Sequence, residues 1–398
     1  MPSVPVPFAS PLASPAIASR LPGVGTTIFT VMSRMAQESG AVNLSQGFPD
    51  FQCDRALFDA VHQAMLDGRN QYAPMAGLPE LRQAIAGKVQ ALYGRAYDPE
   101  TEVTVTAGAT QALFTAIACV VGPGDEVIVF EPVYDSYGPA VETVGGRVVP
   151  LRLSFPGYRY DWDAVRAAIT PRTKMIIVNS PHNPTGTLLT PADLDALAEV
   201  TRDTDIVVLS DEVYEHITYD APGHCSLAGH PELAARTLVV SSFGKTYHIT
   251  GWKVGYVVAP APLTAEFRKV HQFNVFTVHT PSQAGLAQFM ADASRHLGLA
   301  AFYRQKRDAF RALLADTGFE LLSCPGTYFQ LARYDAISSR GDREFAEWLT
   351  RTVGVAVIPV SAFYHDGFGG HVIRFCFAKQ EATLAAAAER LWRIPGTA

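Results

Sequence analysis

The chain has 398 residues, 48% of them hydrophobic and 18% charged, and a formal net charge of −6. This length and composition predict a globular protein of two or three compact units, each able to build a core. The acidic balance and the lack of any long basic block argue against nucleic acid as a main partner, because phosphate backbones need clustered lysine and arginine. Five cysteines (Cys53, Cys119, Cys225, Cys324, Cys376) are scattered and form no C-x-x-C pair. Neither a disulfide framework nor a metal site is expected, and a reducing compartment fits. No apolar run reaches membrane-spanning length, so a soluble, cytoplasmic protein is expected.

Residues 1–25 are rich in Pro, Ala and Ser, lack periodicity and read as a flexible arm, not a secretory signal. A short helix is predicted over 30–37, then a polar loop over 43–51, then a helix capped by Asp54 and reaching about Met65. Leu81, Ile85, Val89 and Leu92 recur at helical spacing and predict a helix over 78–93. Strands are predicted at 102–106, 125–130, 174–179, 205–210, 238–241 and 254–258, with a helix over 109–121 between the first two. Strands separated by helices imply a mainly parallel sheet covered on both faces, a three-layer α/β/α unit. A long helical pattern runs from Pro281 to about Leu314, interrupted near Gly298. Short strands follow around 328–331, 355–358 and 372–376, mixed with helices, as in a smaller α+β unit. The expected division is a large unit over 56–295 and a small one from the two chain ends, 26–55 and 296–398.

Ligands of open α/β sheets gather at the carboxyl ends of the strands. The residues at those ends form a coherent set. The small-residue turn around Gly108, Ala109 and Thr110 opens a helix whose N-terminal N–H groups can hold a phosphate. Asn183 precedes a proline, which favours an extended or turn backbone with its amide free to donate. Asp211 ends an apolar strand, where a carboxylate is costly unless something positive meets it. Tyr214 lies one helical turn further on, so the two could face one pocket. Ser242 and Lys245 follow the next strand, with Lys253 beyond. A lone loop lysine is usually a surface residue, but a lysine in a cleft can lose its proton and condense with a carbonyl. A phosphate nest, a carboxylate, hydrogen-bond donors and an amine together suit pyridoxal 5′-phosphate, an electron sink for carbanions.

The chain resembles the fold-type I pyridoxal-phosphate aminotransferases of class I/II. Within them it is most similar to bacterial methionine aminotransferases and the kynurenine aminotransferase/glutamine transaminase K group. The motifs are residues 43–51 (NLSQGFPDF), 70–74 (NQYAP), 131–137 (EPVYDSY), 181–186 (PHNPTG), 210–216 (SDEVYEH) and 241–256 (SSFGKTYHITGWKVGY). The resemblance implies that Lys245 forms the internal Schiff base and then moves protons, and that Asp211 keeps the pyridine nitrogen protonated. It gives Asn183 and Tyr214 the phenolic oxygen, and Tyr134 a stacking place on the ring. Gly108, Ala109, Thr110, Ser242 and Lys253 would bind the phosphate, with Tyr72 reaching in from a partner subunit of a homodimer. Arg374 would clamp the substrate carboxylate through its planar fork, with a backbone contact from Gly47.

The implied reaction is a ping-pong transfer of an amino group between an amino acid and a 2-oxo acid. Phe29, Phe48, Tyr72, Tyr134 and Phe276, the last from across a dimer interface, are the candidate pocket residues. No arginine stands between Phe273 and Thr280 to meet a second carboxylate. That favours methionine, aromatic amino acids or glutamine over aspartate. The run over 26–30 (TTIFT) lacks the tryptophan of kynurenine-group relatives and favours methionine-type use. Alternatives are β-elimination from cysteine conjugates, kynurenine transamination and, from another class, a non-catalytic cofactor-binding regulator. Such regulators usually carry a basic DNA-binding segment, and residues 1–25 offer none.

Overall fold

The β runs of the middle of the chain join one seven-stranded sheet. Its order is Val103–Thr106, Gly255–Val258, Thr237–Ser242, Val207–Asp211, Thr173–Asn179, Glu126–Glu131 and Arg147–Arg152. Gly255–Val258 is antiparallel to both of its neighbours, and the other pairs are parallel. The computed structural model describes residues 17–220 and 223–394. Residues 1–16 of the expected arm lie outside the described residues, and residues 17–27 carry no helix or strand.

Side chains alternate across a strand, so a sheet buried on both faces feeds two cores. Ile128, Phe130, Ile176 and Val178 enter one apolar cluster, and Val127, Val129, Met175 and Ile177 enter the other. Helices Arg55–Leu66, Pro79–Tyr93, Pro191–Thr201 and Thr280–Phe289 cover the first face through Leu57, Leu81, Leu194 and Leu286. Helices Gly108–Val120, Tyr137–Thr143 and Ala261–Asn274 cover the second through Leu113, Val141 and Phe267. The three-layer α/β/α arrangement is therefore present.

A third apolar cluster joins the chain ends. Met32 and Met35 of helix Ile28–Ser39 pack there with Tyr303, Phe310, Phe345, Phe375 and Leu384. An antiparallel sheet, ordered Ile358–Pro359, Val372–Cys376, Phe329–Arg333 and Glu320–Leu321, runs through this region. Val42–Asn43 pairs in parallel with Val355–Ala356 beside it.

Three local expectations change. Strand Arg147–Arg152 was not anticipated; it lies at the sheet edge, partly exposed and ended by arginines, so it lacks the apolar run of its neighbours. The helical pattern from Pro281 to Leu314 divides into Thr280–Phe289, Ser294–Leu297 and Leu299–Leu313. Its extra break falls where Asp292 accepts hydrogen bonds from the Ser294 N–H and hydroxyl, at 3.0 and 2.6 Å, a local turn that competes with the helix. The apolar run at 355–358 contributes two short strands to two different sheets.

Candidate active site

A cavity of about 330 Å³ opens where the carboxyl ends of the parallel strands meet the chain-end region. Phe29, Gly47, Phe48, Gly108, Ala109, Thr110, Tyr134, Asn183, Asp211, Tyr214, Ser242, Lys245, Lys253 and Arg374 all line it. Residues far apart in sequence are brought together because each parallel strand delivers its last residues to the same edge.

Asp211 is the final residue of strand Val207–Asp211 and is buried. Its Oδ2 accepts from the Tyr137 hydroxyl at 2.7 Å and its Oδ1 from the Val213 N–H at 3.3 Å, both neutral donors. Burial pushes its carboxyl up to about 6. Tyr214 does not follow on a helical turn. The Glu212 N–H still bonds the Val240 carbonyl, at 2.8 Å, so the sheet ladder continues past Asp211 and the backbone then makes a tight turn over 213–216. Burial raises the Tyr214 phenol well above its ordinary value, so it stays a proton donor.

Lys245 stands in the four-residue helix Phe243–Thr246, whose N-terminus is capped by the Ser242 hydroxyl accepting from the Gly244 N–H at 3.2 Å. The Lys245 amine donates to the Gly47 carbonyl at 3.0 Å and to the Tyr328 hydroxyl at 3.1 Å. Burial lowers its pKa to about 8. Opposite it, helix Gly108–Val120 starts without a side-chain cap, which leaves its first N–H groups for another acceptor. Gly108 has φ of +77°, and a Cβ there would stand 3.3 Å from Lys253 Cε. Lys253 itself adopts φ of +55°, a left-handed conformation that a side chain disfavours.

Arg374 is buried on strand Val372–Cys376. Its Nη1 donates to Asn183 Oδ1 at 2.7 Å and its Nη2 to the Ser45 carbonyl at 3.0 Å, while its Nε has no partner among the described residues. The guanidinium lies 3.9 Å from the ring centre of Phe329 and 5.3 Å from that of Phe29. With Asn183 Oδ1 taken by Arg374, the NH2 of that amide remains as its donor. Gly47 presents its carbonyl to Lys245, and a Cβ on it would reach Phe329 Cζ at 2.9 Å.

Two singled-out residues stay out of their own chain's cavity. Tyr72 and Phe276 pack on each other at the surface, ring centres 5.3 Å apart, with Tyr72 79% exposed. Conversely, Gln46, Asn179, Thr250 and Phe329 line the cavity without having been singled out. Phe329 and Tyr328 sit in a short apolar run that reads as core. The Gly-Thr step before them, with Thr327 at φ of +63°, is the one local sign that the backbone there is specially shaped.

Residues 39–391 match the family described as aminotransferase class I and II. This chain belongs to that family. It is 52% identical over 377 residues to methionine aminotransferase of Escherichia coli (strain K12), covering 94% of this chain and 98% of that one. It is 36% identical to kynurenine--oxoglutarate transaminase 1 of Rattus norvegicus, covering 94% of this chain and 97% of that one. The solved structure of YbdL from Escherichia coli, described as a methionine aminotransferase, superposes with a TM-score of 0.94 at 51% identity, over 96% of this chain and 100% of that one.

The aminotransferase is an enzyme of amino and 2-oxo acids, and pyridoxal 5′-phosphate is its cofactor. The residues present fit that group. The uncapped helix start and Lys253 suit a phosphate, the buried Asp211 carboxylate has only neutral hydrogen-bond donors among the described residues, and the Lys245 amine of lowered pKa suits an aldehyde.

Proposed function

We propose that this aminotransferase takes methionine and other amino acids with thioether, apolar or aromatic side chains as donors, returning the amino group to a 2-oxo acid. The observation that carries this reading is the composition of the cavity wall. Arg374 is the only arginine that lines it among the described residues, and Phe29, Phe48, Leu113 and Phe329 supply an apolar surface around it. One guanidinium matches one carboxylate in bidentate fashion, so a second carboxylate on the side chain finds no equivalent clamp. The similarity to the methionine aminotransferase of E. coli supports the same choice.

The cofactor, when bound, supplies an aldehyde and a sink for the charge left at the substrate Cα. Lys245 would provide the covalent anchor and then the amine that accepts the Cα proton and delivers it again. Asp211 would favour a positive charge at the ring nitrogen. The Asn183 amide and the Tyr214 hydroxyl would donate to the phenolic oxygen, and Tyr134 would offer an aromatic surface to the ring. Gly108, Ala109, Thr110, Ser242 and Lys253 would hold the phosphate. Arg374 binds the substrate carboxylate and so fixes which Cα bond points at Lys245. We further propose a homodimer in which the partner's Tyr72 and Phe276 complete each site; their exposure in the single chain supports it. Five free thiols support a cytoplasmic location.

A single-turnover panel tests the reading. The cofactor-loaded enzyme is mixed with methionine, phenylalanine, glutamine, kynurenine or aspartate, and loss of the visible cofactor absorbance is followed. Methionine is expected to react fastest, with aspartate on the order of 100-fold slower for want of a second clamp. Aspartate reacting as fast as methionine would overturn the substrate assignment. In Lys245→Ala no visible absorbance of the lysine-bound cofactor should form.

A further inference from the structure

The Lys245 amine has a place of its own when it is not bonded to the cofactor, and that place is built. Its two acceptors, the Gly47 carbonyl and the Tyr328 hydroxyl, are bonded to each other, with the hydroxyl donating at 2.6 Å. The single phenolic hydrogen is thereby spent on Gly47, so the Tyr328 oxygen turns only lone pairs toward Lys245. The carbonyl of Gly47 accepts from both. An amine in this triangle meets two acceptors and no donor, which favours its protonated form. Two of the three ammonium hydrogens are held and the third is left for the cavity.

The surrounding structure keeps the triangle in position. Tyr328 is wholly buried, with its ring edge-on to Tyr214 at 5.1 Å and against Phe329 at 5.0 Å. Thr327, before it, is β-branched yet left-handed at φ of +63°, a conformation that persists only when its surroundings impose it. The Thr327 N–H bonds the Ile217 carbonyl at 2.9 Å, and the buried Tyr219 hydroxyl bonds the Thr327 carbonyl. Gly326 is pressed between Leu188 and Pro181, each 2.9 Å from where a Cβ would stand. Gly47 can approach only because it lacks a Cβ, which would strike Phe329.

We propose that Tyr328, with the Gly47 carbonyl, is a further catalytic residue: it berths the released Lys245 amine with its two N–H groups on these acceptors and its lone pair toward the substrate Cα, and it steadies the ammonium that forms once the Cα proton has arrived. In that step the Cα–H bond breaks, the proton joins the Lys245 nitrogen lone pair, and the Cα electron pair remains with the substrate–cofactor system. The proposal rests on the role given to Lys245 above. Loss of the visible absorbance in Lys245→Ala tests that role, whereas the experiment here is done on variants that retain Lys245.

Tyr328→Phe removes one oxygen and preserves the ring. Three readings are taken: kcat with methionine, the rate ratio for methionine against Cα-deuterated methionine, and the pH dependence of cofactor capture by the cofactor-free protein. The first is expected to fall about 10- to 100-fold, as for a displaced reacting group. The isotope ratio should rise, because proton transfer becomes more fully rate-limiting. The capture rate should reach its plateau at a lower pH than in the parent, because an acceptor that favours the ammonium form is gone. Tyr303→Phe is the control: Tyr303 is equally buried, its ring lies 5.6 Å from that of Tyr328, and its hydroxyl has no partner among the described residues. It should leave all three readings at parental values. A Tyr328→Phe protein that loses activity but keeps the parental isotope ratio and capture profile overturns the proposal, since a merely structural role predicts that result. Should Tyr328→Phe fold poorly, 3-fluorotyrosine at 328 keeps the shape and makes the oxygen a weaker acceptor. It should move the capture profile the same way by less, and an unchanged profile would overturn the proposal.

Discussion

A carboxyl raised to about 6 by burial carries a stability cost that depends on pH. Between about 4, the ordinary value of an aspartic acid, and 6, folded Asp211 keeps a proton that the unfolded chain has lost, so the cofactor-free protein loses stability as pH rises through that window. Above pH 6 the full cost, on the order of 3 kcal/mol, is present. Asp211→Asn should therefore raise the melting temperature of the cofactor-free protein at pH 8 and much less at pH 5, while activity falls more than about 100-fold. Calorimetry at the two pH values checks the sign. Lys245 titrates in the opposite sense. Its amine, lowered to about 8, is increasingly the free base above that pH, so cofactor capture should accelerate up to about pH 8 and then level off, as stopped-flow absorbance would show. At Arg374, replacement by Lys keeps the charge but loses the planar fork, which bonds Asn183 and, in the role proposed above, the substrate carboxylate. KM for methionine should rise by about 10- to 100-fold. These polar residues were legible in the sequence because a charge at the end of an apolar strand demands an explanation. Tyr328 was not, because an aromatic in a short apolar run has a sufficient explanation as core.

At the scale of elements, the turn carrying Tyr214 is pinned from behind by a buried ion pair. Lys88 of helix Pro79–Tyr93 donates to Glu215 Oε1 at 2.6 Å, and Tyr93, Ser241 and Tyr256 also bond that carboxylate. Burial alone would raise the Glu215 carboxyl, but Lys88 and His216 hold it well below the usual range. Lys88→Met leaves that carboxylate buried and uncompensated, at a cost of about 3–5 kcal/mol. The double variant with Glu215→Gln should regain much of it in denaturant titrations. The pair joins helix Pro79–Tyr93 to a turn more than a hundred residues later, and no local pattern announces such a contact. Long periodic segments were readable for the opposite reason, since Leu81, Ile85 and Val89 state their own spacing. The edge strand Arg147–Arg152 and the break near Asp292 escaped because one hides its β character behind arginines and Pro150, and the other rests on a single side-chain turn.

At the scale of the molecule, Tyr72 and Phe276 are the residues that a single chain does not use. If the partner's Tyr72 completes each site, Lys245→Ala and Tyr72→Ala chains should be nearly inactive alone and regain activity when mixed and reassembled. The hybrid holds one site with both residues intact. No recovery on mixing would count against a shared site. The sheet order has a further consequence, for chains still being made. Strand Val103–Thr106 has one neighbour in the sheet, Gly255–Val258, which lies far downstream and fits against the start of helix Gly108–Val120 so closely that a Cβ on Gly255 would stand 3.2 Å from the Ala109 nitrogen. On a ribosome, the end of the site proposed to hold the phosphate therefore waits, unpaired at its edge, until that later strand emerges, and Arg374 follows later still. Nascent chains shorter than this should not retain the cofactor, which makes its capture a late checkpoint of synthesis rather than a seed for folding.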